Sequence, residues 1–445
     1  MRERPSRSGA ESQNRGAPWT PEHAENHLRS IELFGMRFGL DRMWRMMTVL
    51  GSPQERFQTI HVVGTNGKTS TTRMIAAILQ NHGLNVGSYT SPHLISYSER
   101  VQVQGEDLSM HAFAAAIARA AQASERVNRT LVEGDRVTQF ELMTAAAFWE
   151  LARRKVDVVV VEAGLGGRFD ATNVIDSSIA VLTNVGLEHT RWLGPTVRDI
   201  ATEKLAVLGE DSVLVVSSAL SRELLGLARE AAGERDAELI LAEPPVRRQA
   251  LGAAGGFQQE NFALAQCAAE AYLTRAGIQP HEGHVSAAAA RVRIPGRLQM
   301  IDTDPLTVLD GAHNPPATEA LADALPELLG EREAVLVMGV LEDKDAAAML
   351  ARLLPRFQRA WFTAPPSSRA LSPSALASLA RQLGFEQAVC EPDPARALQE
   401  ARQWAVARGA AVVATGSVYL VGELLAHIGE TASGALSGYE RMGRP

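Results

Sequence analysis

A glycine-rich segment, HVVGTNGKTSTT at residues 61–72, has the side chains and the spacing to bind phosphate groups. Gly64 and Gly67 would let backbone amides approach phosphate oxygens, and the N-terminus of a following helix would add a favourable dipole. Lys68 would place a cation beside the outer phosphates of a nucleotide. Hydroxyl groups that could reach the phosphates or a metal follow directly, at Thr69 and Ser70. The segment therefore predicts a nucleotide-binding loop.

This loop is shorter than the usual phosphate-binding loop. The usual pattern has a glycine five residues before its Gly-Lys pair, and Val62 occupies that position here, so that Gly64 is the first glycine. An ordinary glycine turn with an incidental lysine is the alternative interpretation. The apolar strand before the loop and the helical pattern after it disfavour that alternative, because they are the context of a phosphate loop.

Other candidate side chains follow predicted strands or lie in a helix behind them. Glu162 ends the run VVVVE, where a carboxylate can hold Mg²⁺ or simply cap a helix. His189 ends LTNVGLEHT, and because magnesium prefers oxygen ligands, an exposed loop histidine is the plainer interpretation. Lys204 in ATEKLAVL has the alternative of a solvated helix lysine. Asp310 in VLDGAHNP could be part of a turn, and Arg297 in IPGRLQ could lie on the surface.

These residues need strands that end at a common edge, and the sequence predicts such strands. Apolar runs alternate with helical segments such as TQFELMTAAAFWELARR and VRDIATEKLAVL. The apolar runs, which we interpret as strands, are FQTIHVV, VGSYTSPH, KVDVVVVEAGLGG and SSIAVLTNV. This alternation indicates a parallel sheet covered on both faces, whose ligands gather at the carboxyl ends of the strands. A second α/β unit follows a join near residues 293–298, with strands at LTVLDGAH, AVLVMGV, RAWFTAP and AAVVATGS. Helical spacing of apolar residues also precedes the first strand, in ENHLRSIELFGMRFGLDRMWRMMTVL.

The composition is that of a soluble protein with more than one domain. The chain has 445 residues, of which 46% are hydrophobic, and a net charge of -7, so no overall basic field indicates nucleic acid or a membrane surface. Cys267 and Cys390 match no metal or redox spacing, which indicates a reducing compartment. The first 18 residues contain four arginines and no apolar core, so we expect a disordered tail rather than a secretory signal, and a cytoplasmic protein.

Taken together, the motifs resemble those of the folylpolyglutamate synthase and dihydrofolate synthase group of the Mur ligase superfamily. They occur in the family's order from about residue 26 to residue 430, and the short GTNGK loop is the superfamily's own form. The matching stretches are GTNGKTST, TSPHLISYSERVQVQG, TQFELMTAAAF, VEAGLGGRFDATN, LTNVGLEHTRWLG, TEK, QENFALA, PGRLQ, LDGAHNP and ATGSVYLVGE. The resemblance implies an α/β fold with a disordered tail at 1–18, a P-loop ATPase domain with a mainly parallel sheet at 19–295, and a smaller Rossmann-like glutamate ligase domain at 296–445.

The resemblance also implies roles for individual residues. Ser91 and Glu162 match ligands of a first Mg²⁺ and His189 a ligand of a second, while Lys204 matches a lysine that is carbamylated and so becomes an anionic oxygen donor. Lys68, His189 and Lys204 are thereby implied to be catalytic. The residues implied to bind ATP are Gly64, Thr65, Asn66, Gly67, Lys68, Thr69, Ser70, Asn261, Arg297, Asp310 and His313, with Asp310 suited to the ribose hydroxyls. Those implied to line the pterin or folate pocket are Arg37, Phe38, Thr138, Gln139, Phe140, Glu141, Phe169, Asp170 and Ala171.

Three positions depart from the family pattern. Gln139 stands where a phenylalanine is frequent, Phe257 where a histidine precedes the nucleotide motif, and Thr69 where a glycine is common. Thr69 is closer to the cell-wall ligases of the superfamily. Those enzymes have a separate N-terminal domain of about 80–100 residues, whereas 63 residues precede Gly64 here, so we favour the folate group.

The implied activity is that of an ATP-dependent acid–amino acid ligase. It would join L-glutamate to dihydropteroate, to reduced folates, or to both, through an acyl-phosphate intermediate, with ATP as cosubstrate and two Mg²⁺ ions. The stretch YSERVQVQGEDLS is similar to the bifunctional bacterial enzymes. The alternatives are a synthase that only extends the glutamate tail, a cell-wall-type ligase and a nucleotide switch that gates a partner. The expected partners are small molecules only, without nucleic acid or membrane, and the expected state is a monomer.

Overall fold

A computed structural model describes residues 18–31, 38–244 and 248–429. Arg37 and the predicted tail up to residue 17 lie outside these ranges. Within the described ranges the strands form an eight-stranded and a six-stranded sheet, each flanked by helices. This arrangement confirms the predicted α/β fold class with two parallel-dominated sheets.

The first sheet has the strand order β4-β3-β2-β5-β1-β6-β7-β8. Its strands are β1 (Gln58–Val63), β2 (Val86–Tyr89), β3 (Val101–Val103), β4 (Glu106–Asp107), β5 (Val158–Glu162), β6 (Ile179–Leu182), β7 (Val213–Ser217) and β8 (Glu238–Ala242). All pairs are parallel except those of β3 and β4, which form an antiparallel edge. The predicted strands correspond to β1, β2, β5 and β6, whereas β3, β4, β7 and β8 were not predicted.

Helices cover both faces of this sheet because its strand residues alternate between apolar clusters on the two faces. Val159 and Val161 of β5 pack in the cluster that contains the helices at residues 110–128 and 139–153. Val158 and Val160 pack in the cluster that contains the helices at residues 68–81 and 257–275. The helices are α1 (Pro21–Ile31), α2 (Asp41–Leu50), α3 (Lys68–Asn81), α4 (Met110–Asn128), α5 (Gln139–Arg153), α6 (Thr190–Leu193), α7 (Val197–Leu205), α8 (Arg222–Glu234), α9 (Phe257–Arg275) and α10 (Glu282–Arg291). The helical pattern before the first strand thus corresponds to α1 and α2.

The second sheet has the order β13-β12-β11-β14-β10-β9. Its strands are β9 (Gln299–Thr303), β10 (Leu306–Leu309), β11 (Ala334–Met338), β12 (Arg359–Phe362), β13 (Ala388–Cys390) and β14 (Ala411–Thr415). Its helices are α11 (Pro315–Leu329), α12 (Ala346–Leu353), α13 (Pro373–Gln382), α14 (Pro394–Val406) and a last helix over residues 418–429. The four predicted strands are β10, β11, β12 and β14; β9, which was not predicted, runs antiparallel to β10. Among the residues that the structure describes, no helix combines the length and apolar composition that a membrane span requires.

Candidate active site

A cavity of about 820 Å³ lies between the two sheets, where the loops after β1, β5, β6 and β10 meet. It collects most of the predicted site residues: Thr65, Asn66, Gly67, Lys68, Thr69, Ser70, Ser91, Thr138, Gln139, Phe140, Glu141, Glu162, Phe169, Asp170, Ala171, His189, Asn261, Arg297, Asp310 and His313 line it. Three other predicted residues, Phe38, Gly64 and Lys204, do not appear in its lining. We call residues 64–70 with Glu162 and Lys204 the phosphate wall, and residues 138–141 with 164–171 the aromatic wall.

The phosphate loop needs its two glycines because other groups approach the backbone closely. A Cβ atom at Gly64 would overlap the Thr183 hydroxyl, and one at Gly67 would overlap the Asn261 amide. Gly67 also has φ 83°, in the left-handed region that favours glycine, and it caps the N-terminus of α3. The Lys68 ammonium donates to the carbonyl oxygens of Gly64 at 2.9 Å and Thr65 at 3.1 Å. The loop therefore presents helix-terminal amides and one cation to the cavity.

Glu162 is buried at the end of β5 and faces the loop. Its carboxylate accepts hydrogen bonds from the Thr69 hydroxyl at 2.9 Å and from the Ser91 amide at 3.2 Å. Burial raises the pKa of Glu162, and the Lys68 charge and the Thr69 hydrogen bond oppose that rise. A carboxylate with neighbouring hydroxyl groups is the oxygen donor set that Mg²⁺ prefers, so these residues fit a magnesium ion.

Lys204 is buried beneath the loop, and the interpretation as a solvated helix lysine is wrong. Its side chain is 1% exposed, and its ammonium donates to the Gly64 carbonyl at 2.8 Å and to Glu188 at 2.7 Å. Burial lowers the pKa of Lys204 to about 8, against the opposing effect of Glu188. The neighbouring Glu203 pairs instead with Arg168 at 2.8 Å.

Glu188 is a site residue that the sequence did not reveal. Burial alone would raise its pKa, but the charges of Lys68 and Lys204 outweigh that effect and lower it. The adjacent His189 lines the cavity from an exposed position at the start of α6, with φ 45°. No group of three or more His, Cys, Asp or Glu side chains in the described ranges could hold a metal ion.

The carboxylates of the aromatic wall are engaged in local structure. Thr138 and Glu141 form a reciprocal capping box at the start of α5, and Glu141 also pairs with the buried Arg42 at 3.0 Å. Asp170 is buried and accepts hydrogen bonds from the Leu165 amide at 2.7 Å and the Thr172 amide at 3.0 Å. Arg42 was not predicted, because α2 and α5 are distant in the sequence. These contacts fix the backbone of the wall.

Aromatic rings form the rim of this wall. The exposed Phe169 ring packs edge-on against Phe38, with 5.8 Å between centroids, and Phe38 lies 5.7 Å from Trp192. Phe140 and Phe169 both line the cavity. Trp192, which was not predicted as a site residue, belongs to the matching stretch LTNVGLEHTRWLG. A planar aromatic ligand could stack on such rings.

The second sheet closes the cavity with polar groups. Asp310 is buried and accepts from the amides of Leu298 at 2.9 Å and Ala312 at 2.8 Å, while burial raises its pKa. Burial lowers the pKa of His313 to about 4, so its imidazole is neutral at pH 7.

A pair of amides joins this sheet to the phosphate loop. Asn66 Nδ2 donates to Asn314 Oδ1 at 3.3 Å, and Asn314 Nδ2 donates to Asn66 Oδ1 at 2.9 Å. Asn314 also caps the N-terminus of α11 through the Ala317 amide. The phosphate loop and the N-terminus of α11, the helix that follows β10, are therefore linked directly.

Comparison with known proteins identifies the family. Residues 62–217 match the Mur ligase middle domain, and residues 296–418 match the Mur ligase glutamate ligase domain. The dihydrofolate synthase/folylpolyglutamate synthase of Bacillus subtilis (strain 168) is 34% identical over 349 residues, which are 72% of this chain and 79% of the relative. The chain belongs to the dihydrofolate synthase/folylpolyglutamate synthase family of Mur ligases.

Solved structures of this synthase family share the whole fold. Mycobacterium tuberculosis folylpolyglutamate synthase complexed with ADP has a TM-score of 0.85 and 30% identity, covering 96% of this chain and 98% of that chain. A bifunctional folylpolyglutamate synthase/dihydrofolate synthase with Mn, AMPPNP and L-glutamate bound has a TM-score of 0.78 and 29% identity, covering 91% of this chain and 98% of that chain. The resemblance inferred from the motifs is confirmed, and with it the ligase class.

Proposed function

We propose that this protein uses ATP to join L-glutamate to dihydropteroate, to reduced folates, or to both. The observation that carries the proposal is one cavity with a phosphate loop on one wall and aromatic rings on the other. Relatives named for both activities, and a structural neighbour with AMPPNP, Mn and L-glutamate bound, support it. A cytoplasmic monomer with small-molecule partners only remains our prediction.

The chemistry needs an activated acid. A carboxylate is a poor acyl donor because its leaving group would be oxide. Transfer of the γ-phosphoryl group from ATP to the carboxylate oxygen breaks the bond to ADP and makes an acyl phosphate. The amine of glutamate then attacks the acyl carbon, the C–N bond forms, and the C–O bond breaks as inorganic phosphate leaves with a proton from the amine. The protein positions the reactants and stabilises developing charge, and a closed cavity excludes the water that would hydrolyse the acyl phosphate.

The phosphate wall would bind and orient ATP. We assign the phosphates to the amides of residues 64–70 and to Lys68, whose ammonium is already held over the loop by two carbonyl oxygens. Asn261 contacts the loop at Gly67, and Arg297, Asp310 and His313 lie across the cavity, where we place the rest of the nucleotide. The change of sheet between β8 and β9 supports the proposed division of the chain at 295/296.

Glu162 and Lys204 of the phosphate wall, with Ser91 and His189 beside it, are the candidate donor groups for metal. We propose Glu162 and Ser91 for a first Mg²⁺, and His189 with Lys204 for a second. Magnesium bound there would neutralise charge on the transferred phosphoryl group. Lys204 as an ammonium donates hydrogen bonds and cannot be a ligand, so we propose that it acts as a carbamate. Its pKa, lowered from 10.5 to about 8, increases the fraction of neutral amine that can react with CO₂.

The aromatic wall would hold the acid substrate. We propose that Phe140 and Phe169 contact its rings, with Phe38 behind Phe169 at the rim. Gln139 and Ala171 line the same wall, whereas Thr138, Glu141 and Asp170 would act mainly by fixing its backbone. Arg37, which we also predict at this pocket, lies outside the described residues.

The test is phosphate release from ATP with L-glutamate in the presence of dihydropteroate, a reduced folate monoglutamate, or neither. Release with both pterins, one phosphate for each new amide bond, is the expected result. Release with the folate alone would restrict the protein to tail extension. Equal release without any pterin would refute the ligase proposal in favour of a nucleotide switch.

A further inference from the structure

A second, smaller cavity of about 30 Å³ adjoins the active site. The residues that line it suggest a binding site for part of a substrate, an inference that rests on the proposed function. We call this cavity the annex. Its polar lining consists of Thr69, Arg73, Thr90, His93, Glu99 and Arg297. Thr69 and Arg297 also line the larger cavity, so a bound molecule could extend from one space into the other. The annex is large enough for a small polar group, since about 10–15 Å³ suffices for one water molecule.

Arg73 in the annex has a buried polar atom without a partner. It lies on α3, one turn after Thr69, and its Nε is buried and makes no hydrogen bond to the part of the chain that the structure describes. Buried polar groups are normally satisfied, and an uncompensated buried charge is costly. A ligand group that accepts from the Arg73 guanidinium would remove that cost.

The carboxylates near Arg73 have other partners. Glu99 accepts from the backbone amides of residues 94–96 at 2.6–2.9 Å. Glu162 accepts from the Thr69 hydroxyl and the Ser91 amide, and Asp107 accepts from Gln102 at 2.7 Å. These three groups act on Arg73 at longer range but make no hydrogen bond with it.

Among the groups that line the annex, cations outnumber carboxylates. Two guanidinium groups, Arg73 and Arg297, face one carboxylate, Glu99. His93 has its own partner, because its Nδ1 accepts a hydrogen bond from Arg100 Nε at 3.0 Å. Glu162 and Asp107 attract Arg73 from outside the annex but leave its Nε without an acceptor. An anionic acceptor in the annex would contact both guanidinium groups.

We propose that the annex binds one carboxylate of the amino-acid substrate, with Arg73 and Arg297 as its cations. L-Glutamate has two carboxylates and an amine. The annex has room for a carboxylate but not for the whole molecule, so the amine stays in the larger cavity, where it can attack the acyl phosphate. A guanidinium can bind a carboxylate through two parallel hydrogen bonds.

The experiment compares Arg73→Met, which keeps an apolar stem, with Arg359→Met. Arg359 on β12 is a matched control, because its Nε is also buried without a partner in the described residues, yet it lines neither cavity. We expect Arg73→Met to raise the KM for L-glutamate at least about tenfold, the effect of losing a charged hydrogen bond, with the KM for ATP within about twofold. Arg359→Met should change neither KM.

Analogues identify the carboxylate. L-Glutamine lacks the side-chain carboxylate, and isoglutamine lacks the α-carboxylate. Each is measured as a competitor of L-glutamate. One analogue lacks the carboxylate that binds in the annex, and its inhibition constant should be the same for wild type and Arg73→Met. The other analogue keeps that carboxylate, and its inhibition constant should rise about tenfold in Arg73→Met.

The outcomes are distinguishable. If the wild type is active and the KM for L-glutamate is unchanged in Arg73→Met, the inference is wrong and water is the partner of Arg73. If Arg73→Met does not fold, Arg73→Lys and Arg73→Gln replace it, with Lys expected to retain more of the affinity. If the wild type releases no phosphate, the proposed function fails. The annex is then tested by the rise in unfolding temperature that L-glutamate and ATP together produce. If the annex binds a carboxylate, this rise must be smaller in Arg73→Met than in wild type.

Discussion

The phosphate wall and the aromatic wall both contain charged residues, but these residues have different kinds of partner. Lys68 and Lys204 donate to carbonyl oxygens of the loop, and Lys204 also pairs with Glu188. On the aromatic wall, Glu141 belongs to a capping box and Asp170 accepts from two backbone amides and a hydroxyl. A ligand could therefore recruit the cations of the first wall, whereas the carboxylates of the second are committed to its backbone.

Because of this difference, we expect substitutions that remove a charge to have different effects on the two walls. Removing a charge from the phosphate wall should reduce turnover more than stability. Removing one from the aromatic wall should reduce stability first, because the lost partner is a backbone amide that is left unsatisfied.

The largest expected effect is at Lys204. Lys204→Ala should have no detectable turnover, since both the buried cation and any carbamate formed from it are lost. Added formate or acetate should partly restore turnover by entering the vacated space. Lys204→Met, which fills that space, should be inactive and resistant to rescue. Wild-type turnover in the alanine variant would contradict the role of this lysine.

Lys68→Ala should lower kcat by at least about a hundredfold, because its charge is needed most in the transition state. The free energy of unfolding should change by about 1 kcal/mol or less, although two hydrogen bonds to loop carbonyls are lost, because Lys68 is partly exposed and water can replace it there. Lys155→Ala is the control, an exposed lysine that does not line the cavity. Similar kcat values for the two variants would remove Lys68 from the proposed phosphate site.

On the aromatic wall, Asp170→Asn should lower the free energy of unfolding by about 2 kcal/mol, the contribution of hydrogen bonds to a charged group. Denaturant unfolding measures the change. Asp176→Asn provides a control from the same segment, because Asp176 is exposed. An unchanged unfolding midpoint in Asp170→Asn would show that the carboxylate does not hold the wall.

The same network predicts a pH dependence through His61. Thr172 donates its hydroxyl proton to Asp170, so His61 must donate from Nε2 to Thr172 at 2.9 Å. Its Nδ1 is buried without a partner in the described residues, and burial lowers the pKa of His61 from 6.5 to about 3.

Because the unfolded chain then binds a proton more readily than the folded protein, stability falls as the pH falls below 6.5. Between pH 6.5 and pH 5 the loss due to His61 should be about 1.5 kcal/mol. His61→Gln should remove that part of the pH dependence in denaturant titrations at the two pH values. An equal loss in the variant would mean that other groups cause it.

The sequence allowed the prediction of features that depend on neighbouring residues. The apolar run before Gly64 and the helix from Lys68 are local, and so are the strand ends that bring Glu162 and Asp310 into the cavity. The burial of Lys204 was not predictable in this way, because it depends on α7 packing beneath Gly64, 140 residues earlier. The pairing of Arg42 with Glu141 spans 99 residues and needs α2 beside α5. Thr138 and Glu141 have the spacing of a capping box, which is also a local feature that the sequence is sufficient to predict.

The smallest predicted effect concerns the amide pair between Asn66 and Asn314, which connects the phosphate wall to the second sheet. Asn314→Asp introduces a carboxylate that can still cap α11, but it cannot donate to Asn66 Oδ1. We expect kcat/KM to fall about fivefold, the effect of one neutral hydrogen bond, with little change in stability. Asn314→Ser, which keeps the cap with a shorter side chain, should behave similarly. If the two amides act as a unit, Asn66→Ala combined with Asn314→Ala should cost no more than either substitution alone, whereas additive losses would show that each amide acts separately.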